Sequence, residues 1–310
     1  MKLKKLKAGD TVGIVCPAGS ISLDSKRIKL LEERLTGFGL KYKYGITIGK
    51  KVAYLGGSDE ERASDLMAMF KDSEVKIILA MLGGYGCSRI VDRLDYDVIK
   101  ANPKLLIGFS DITVLLNSIN KLTDIPTLHG PVGIYLGKEE FDQESINDFY
   151  EVLFSKQLNR VLKNPKDDSI TLTNGVARGK LVGGNLSLIN NLIGTPYEID
   201  FSDKIVFIEE VDEKPYAIDR YLSSLRLSKS LEKAKGFVFG YFTNCESSDV
   251  DSWGYLDLIE QYFGDLNKPI IYNFASGHDL PFISLPIGLE VELDAGKKTI
   301  TILEEMYETD

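Results

Sequence analysis

The first half of the chain carries three runs that are apolar at successive positions: "TVGIV" from residue 11, "VKIILAML" from residue 75 and "KLLIG" from residue 104. A strand with one wet face alternates apolar and polar residues. A strand apolar throughout is buried on both faces, as in a parallel sheet covered by helices. Between these runs the apolar spacing lengthens to three and four. Ile28, Leu31 and Leu35 share one helical face ahead of Gly37. Ala63, Leu66, Met67 and Phe70 mark another, behind a Ser58–Glu61 capping box. "SRIVDRLDYDVIK" reads as helical at its start, "SDITVLLNSINKL" as a helix and "PTLHG" as a short strand. Strand and helix in alternation predict an α/β domain built on a parallel sheet.

From about residue 138 the texture changes. A charged helical segment, "KEEFDQESINDFYEVLFSKQ", gives way to a connector, and strand-like runs ("KIVFIEEV", "GFVFGYF", "PIIY") then alternate with helical ones ("YAIDRYLSSLRLS", "SWGYLDLIEQYF"). "LEVELDAGKKTITIL" alternates about residues 294–296 and predicts a closing hairpin. The boundary is expected near residues 155–170, giving domains at 1–160 and 170–310.

Composition excludes several classes of function. With 37 basic and 46 acidic residues the formal charge is −9, the wrong sign for a nucleic-acid or anionic-membrane surface. Cys16, Cys87 and Cys245 are odd in number and far apart, so neither a disulfide framework nor a CxxC metal site is expected. No apolar stretch approaches the ~20 residues of a membrane span, and the N-terminal apolar run is short and broken by Gly13 and Pro17. A cytoplasmic enzyme without metal or cofactor is expected. "GGYG" at 83–86 is neither a dinucleotide fingerprint nor a P-loop.

Open α/β sheets place functional groups at the carboxyl ends of their strands, and three candidates stand there. Ser110 follows "LLIG" where a helix begins. It reads either as a helix N-cap, the commoner use of serine at such a place, or as a nucleophile on a tight turn beside free helix N–H groups. The segment is Gly108-Phe109-Ser110-Asp111-Ile112, which lacks the second glycine of the esterase elbow G-x-S-x-G. The glycines of "GGYG" would let backbone N–H groups approach a ligand, or simply make a turn. Glu209 and Glu210 end the run at 205–208, where a carboxylate could orient an imidazole or merely lie in a solvated loop. Only His129 and His278 are available as an imidazole base.

Taken in order, "GDTVGIVCPAGS", "YLGGSDEERASDL", "LGGYGCSRIVDRLDYD", "IGFSDIT", "LHGPV", "GGNLSLINNLIGTP", "FIEEVDEKPYAIDR" and "GHDLPFISLPIG" resemble the LD-carboxypeptidases. These serine peptidases include muramoyltetrapeptide carboxypeptidases and the microcin C resistance proteins. The resemblance implies a flavodoxin-like N-terminal parallel-sheet domain and a smaller C-terminal α/β domain with barrel-like strands. It also implies a catalytic triad of Ser110, Glu209 and His278, drawn from both halves, with an oxyanion hole from the N–H groups of Gly84 and Asp111. The family usually reads Glu-Asp where this chain reads Glu209-Glu210. The implied reaction releases terminal D-alanine from muramoyl tetrapeptides in cell-wall recycling, by a homodimer with a small peptide substrate. The microcin branch instead cleaves an amide next to an acyl-sulfamoyl adenylate, and its aromatic-rich loop contrasts with the single Trp253 here. An ordinary α/β-hydrolase esterase and a non-catalytic peptide-binding protein on the same fold are the other readings.

Overall fold

The computed structural model describes residues 1–249 and 251–308. Its strands, in chain order, are β1 (Thr11–Val15), β2 (Lys41–Tyr44), β3 (Val75–Ala80), β4 (Leu105–Gly108), β5 (Thr127–His129), β6 (Val161–Leu162), β7 (Ile170–Thr173), β8 (Val176–Asn185), β9 (Ile205–Val211), β10 (Gly236–Thr243), β11 (Ile270–Tyr272), β12 (Leu285–Ile287), β13 (Glu290–Asp294) and β14 (Thr299–Ile302). The chain forms two compact units. The first comprises Met1–Gln157, Ser284–Gly288 and the chain from Glu305, and the second comprises Leu158–Ile283 and Leu289–Glu304. Division into two continuous stretches, 1–160 and 170–310, therefore misses two returns of the chain. The first return is held by β12, whose three residues pair antiparallel with β5. The second begins a bridge between Tyr307 and Leu3. Such short pairings, more than 150 residues apart in sequence, leave no local periodicity to read.

The sheet of the first unit runs β2-β1-β3-β4-β5-β12. Its first five strands are parallel, in the flavodoxin order. β3 and β4 are almost wholly buried, as their unbroken apolar sequence requires, whereas β2 (Lys-Tyr-Lys-Tyr) is an exposed edge strand. The order reverses between β1 and β3, the switch point at whose carboxyl ends such sheets bind their ligands, and the loops leaving the two strands meet there, with Gly19 N donating to the carbonyl of Gly83 at 3.0 Å. The helix Asp59–Lys71 begins with the expected capping box: Ser58 Oγ accepts from Glu61 N at 3.2 Å and Glu61 Oε2 accepts from Ser58 N at 2.9 Å. "SRIVDRLDYDVIK" differs from expectation. It starts with two 3-10 turns, Cys87–Arg89 and Val91–Arg93, and becomes α-helical only at Tyr96–Ala101. Asp95 caps that later helix by accepting from Val98 N at 3.0 Å, while the N–H of Cys87 is drawn off by the side chain of Asp111 at 2.8 Å.

The second unit holds an eight-stranded sheet, β6-β14-β13-β8-β9-β10-β11-β7, which curls into an open half-barrel. Its four central strands, β8 to β11, are parallel. The expected hairpin, β13–β14, extends it antiparallel on one side and β7 does so on the other. The helix Tyr255–Phe263 seats Phe263 edge-on against Phe237 and Phe239, with ring centroids 4.7 and 4.9 Å apart. Among the described residues no helix is long and apolar enough to cross a membrane.

The entry to β12 is fixed by Asp148 Oδ2, which accepts from Ser284 N at 2.7 Å in a buried site. Asp148→Leu leaves that N–H without its acceptor and should cost about 1–3 kcal/mol, read as a lower urea midpoint. Asp148→Asn, which keeps an acceptor, should lose less. Equal midpoints for Asp148→Leu and the wild type would contradict the role given to this bond.

Candidate active site

Ser110 stands on a turn too sharp for an ordinary side chain at its start. A Cβ added to Gly108 would lie 2.9 Å from both Cγ1 and Cγ2 of Ile112, which folds back over the strand end. The first glycine of the turn is therefore sterically required, and Ile112 occupies the place of the missing second one. Residues Ser110–Ile112 form a 3-10 turn that leads into the helix Thr113–Thr123, and neither element has a side-chain cap. The N-cap reading of Ser110 thus has no hydrogen bond behind it. Its φ is +62°, a left-handed conformation that costs a non-glycine residue about 1–3 kcal/mol and gathers at functional sites.

The loop leaving β3 packs against this turn. A Cβ on Gly83 would lie 2.9 Å from Ser110 Cβ, 3.0 Å from its Oγ and 3.5 Å from Asp111 N, so glycine alone permits the approach. Gly84 has φ +110° and Gly86 φ +128°. The carbonyl of Gly83 accepts from Gly19 N at 3.0 Å. In a trans peptide the N–H points opposite to the C=O, so this bond turns the N–H of Gly84 away from Gly19. The side chain of Asp111 is buried and used structurally: Oδ2 accepts from Cys87 N. Burial pushes its carboxyl above the usual 3.8, against the pull of Cys87 and of Arg62.

In the second unit β9 presents its two glutamates to opposite faces, as strand alternation dictates. Glu209, fully buried, places Oε2 2.7 Å from Nδ1 of His278. A Cβ on Gly277 (φ +131°) would come within 3.0 Å of that same oxygen, which accounts for the glycine before the histidine. Glu210 has other work. Its Oε1 accepts from Asn185 Nδ2 at 2.7 Å and Val211 N at 2.9 Å, and its Oε2 accepts from Ser187 N at 2.8 Å. It thereby pins the end of β8 to the helix Leu186–Asn191. Burial first, and then the neighbouring Glu209, push the Glu210 carboxyl up to about 7. Burial of the His278 imidazole disfavours its charged form. Glu209, with lesser help from Glu210 and Asp212, outweighs that effect and raises the imidazole above its ordinary 6.5. His129 lies wholly buried in the first unit with its ring edge-on to Phe109, centroids 5.8 Å apart. The three cysteines are buried and free.

Residues 12–130 match the LD-carboxypeptidase N-terminal domain, and residues 178–293 match the LD-carboxypeptidase C-terminal domain. The chain belongs to the LD-carboxypeptidase family. It is thereby placed among the peptidases, which are hydrolases. It is 35% identical to a "Probable murein peptide carboxypeptidase" of Bacillus subtilis (strain 168), over 97% of this chain and 94% of that one. It is 27% identical to the "Microcin C7 self-immunity protein MccF" of Escherichia coli, over 98% of this chain and 96% of that one. The crystal structure of a muramoyltetrapeptide carboxypeptidase from Oxalobacter formigenes superposes with a TM-score of 0.84 at 26% identity, covering 96% of this chain and 100% of that one.

Of the residues singled out from sequence, Ser110, Asp111 and the glycine loop meet in the first unit, and Glu209 meets His278 in the second. Sequence reasoning passed over Gly277, Asn185 and Arg62. Arg62 had a readable signal: it lies four residues before Leu66, which puts a charge on the apolar face of its helix.

Two outcomes follow from this geometry. The His278 value lies above the unfolded one, so the stability it contributes is fully present below pH 6.5 and is lost as pH rises through the folded value. In Glu209→Gln the imidazole should titrate at a lower pH than in the wild type, as followed by NMR. An unchanged titration would contradict the pairing. Ser110→Gly, which relieves the positive φ, should be more stable than Ser110→Ala by about 1 kcal/mol in chemical denaturation. Equal stability would show that the turn is unstrained.

Proposed function

We propose that the chain is a serine-type LD-carboxypeptidase that hydrolyses the amide between an L-centre and a terminal D-alanine in muramoyl tetrapeptides, in cytoplasmic cell-wall recycling. The observation that carries this reading is Ser110 at φ +62° on the turn after β4, packed against Gly83, in a chain of this family. Ser110 Oγ attacks the scissile carbonyl carbon and passes its proton to Nε2 of His278. Glu209, bonded to Nδ1, holds the ring and stabilises the imidazolium. The negative charge that develops on the carbonyl oxygen is met by the N–H groups of Gly84 and Asp111. Collapse of the tetrahedral intermediate expels the amine of D-alanine, which takes the proton from His278. Water, activated by the same imidazole, then releases the acyl group from Ser110. The assignment of Glu209 rather than Glu210 as the third member rests on the 2.7 Å contact and on the full engagement of Glu210 elsewhere.

Measurement of released D-alanine tests the proposal. The wild type should release it from a muramoyl tetrapeptide, and Ser110→Ala and His278→Ala should each lower kcat by at least about a thousandfold. Ser110→Ala with wild-type activity would refute the mechanism. Preferential cleavage of an aminoacyl sulfamoyl adenosine would move the chain to the reading suggested by its Escherichia coli relative.

A further inference from the structure

Arg62 is a fully buried arginine in the first turns of the helix Asp59–Lys71. Its Nη1 donates to the carbonyl of Pro17 at 2.5 Å and to that of Gly86 at 2.9 Å, and its Nη2 donates to Asp59 Oδ1 at 2.5 Å. Pro17 lies in the loop after β1 and Gly86 in the loop after β3, so one guanidinium holds the two loops together at the switch point. The carbonyl of Gly86 and the N–H of Cys87 belong to the same peptide unit. Arg62 holds its oxygen, and Asp111 Oδ2 holds its nitrogen at 2.8 Å. Two buried side chains of opposite formal charge thus fix both ends of one peptide plane. A Cβ on Gly86 would lie 2.7 Å from Nη1, so the arginine is seated directly against the loop backbone.

This plane lies three peptides beyond the one that carries the Gly84 N–H. Its second anchor, Asp111, supplies the other N–H of the proposed oxyanion hole and directly follows Ser110. We propose that Arg62 and the Asp111 carboxylate form a positioning clamp that sets the orientation of the oxyanion donors. Neither side chain touches the reacting atoms. This inference rests on the function proposed above. The clamp makes the 83–87 loop, the 110–112 turn and the 16–19 loop move as one piece, with the Gly19–Gly83 bond as its third tie. Charged groups serve here because hydrogen bonds to them are stronger and more directional than neutral ones. Loss of the clamp should cost transition-state stabilisation more than substrate binding, because the oxyanion forms only during the reaction.

The test compares the wild type, Arg62→Met, Asp111→Asn and Asp111→Leu by steady-state kinetics, by inhibition with a tetrahedral peptide phosphonate, and by amide hydrogen exchange across residues 83–88. Arg62→Met should lower kcat by about ten- to a hundredfold with KM held within about threefold, weaken the phosphonate by a similar factor and speed exchange in the loop. Asp111→Asn keeps an acceptor for Cys87 N and should lose less than Asp111→Leu, which carries the test if Arg62→Met does not fold. Retained kcat with unchanged exchange in Arg62→Met, or a rise in KM alone, overturns the clamp. A wild type that releases no D-alanine refutes the proposed function by itself. Exchange then decides the clamp: unchanged protection in Arg62→Met and Asp111→Leu overturns it, and faster exchange supports it.

Discussion

The conformation of Ser110 is the constraint around which the first unit is arranged. A serine at φ +62° persists only where its surroundings over-determine it. Here Ile112 closes over Gly108 on one side and the Gly83 backbone approaches on the other. Asp111 turns its carboxylate inward to the neighbouring loop. Each of these residues is a small or inward-facing solution to one problem, which is to present a hydroxyl at the end of β4 without burying it. The flavodoxin strand order sets the loop after β3 beside the turn after β4, and glycine at 83 lets its backbone pack directly against Ser110.

The two adjacent glutamates of β9 divide their work by strand geometry alone. Glu209 meets the imidazole while Glu210 satisfies three donors on the opposite face. Their proximity still matters electrically. It adds to the effect of burial in raising the Glu210 carboxyl, and both carboxylates favour the protonated imidazole. An imidazole that must accept and then return a proton is served by neighbours that stabilise its cation.

Much of this was legible in the sequence because it is local. Continuous apolar runs gave away the parallel sheet, Ser58 and Glu61 gave away a helix start, and the residues about 294–296 gave away a hairpin. Ser110, Glu209 and His278 stood out because each follows a strand run or a glycine. The choice between nucleophile and N-cap was not legible, since it depends on a φ angle and on the absence of a cap bond. The return of β12 to β5 and the reach of Arg62 to Pro17 and Gly86 were hidden for another reason. They join segments far apart in sequence through three residues or a single side chain, too little to leave a period. The polar edge strand β2 escaped notice because alternating lysines and tyrosines, three of them exposed and Tyr44 half-buried, carry no burial signal.

Trapping of the covalent intermediate tests the central claim most directly. The protein is mixed with a muramoyl tetrapeptide or a fluorophosphonate, quenched in acid and digested, and the adduct is located by mass spectrometry. The account predicts a single adduct on the peptide containing Ser110, lost in Ser110→Ala and formed far more slowly in His278→Gln. An adduct on another residue, or D-alanine release undiminished in Ser110→Ala, would contradict it.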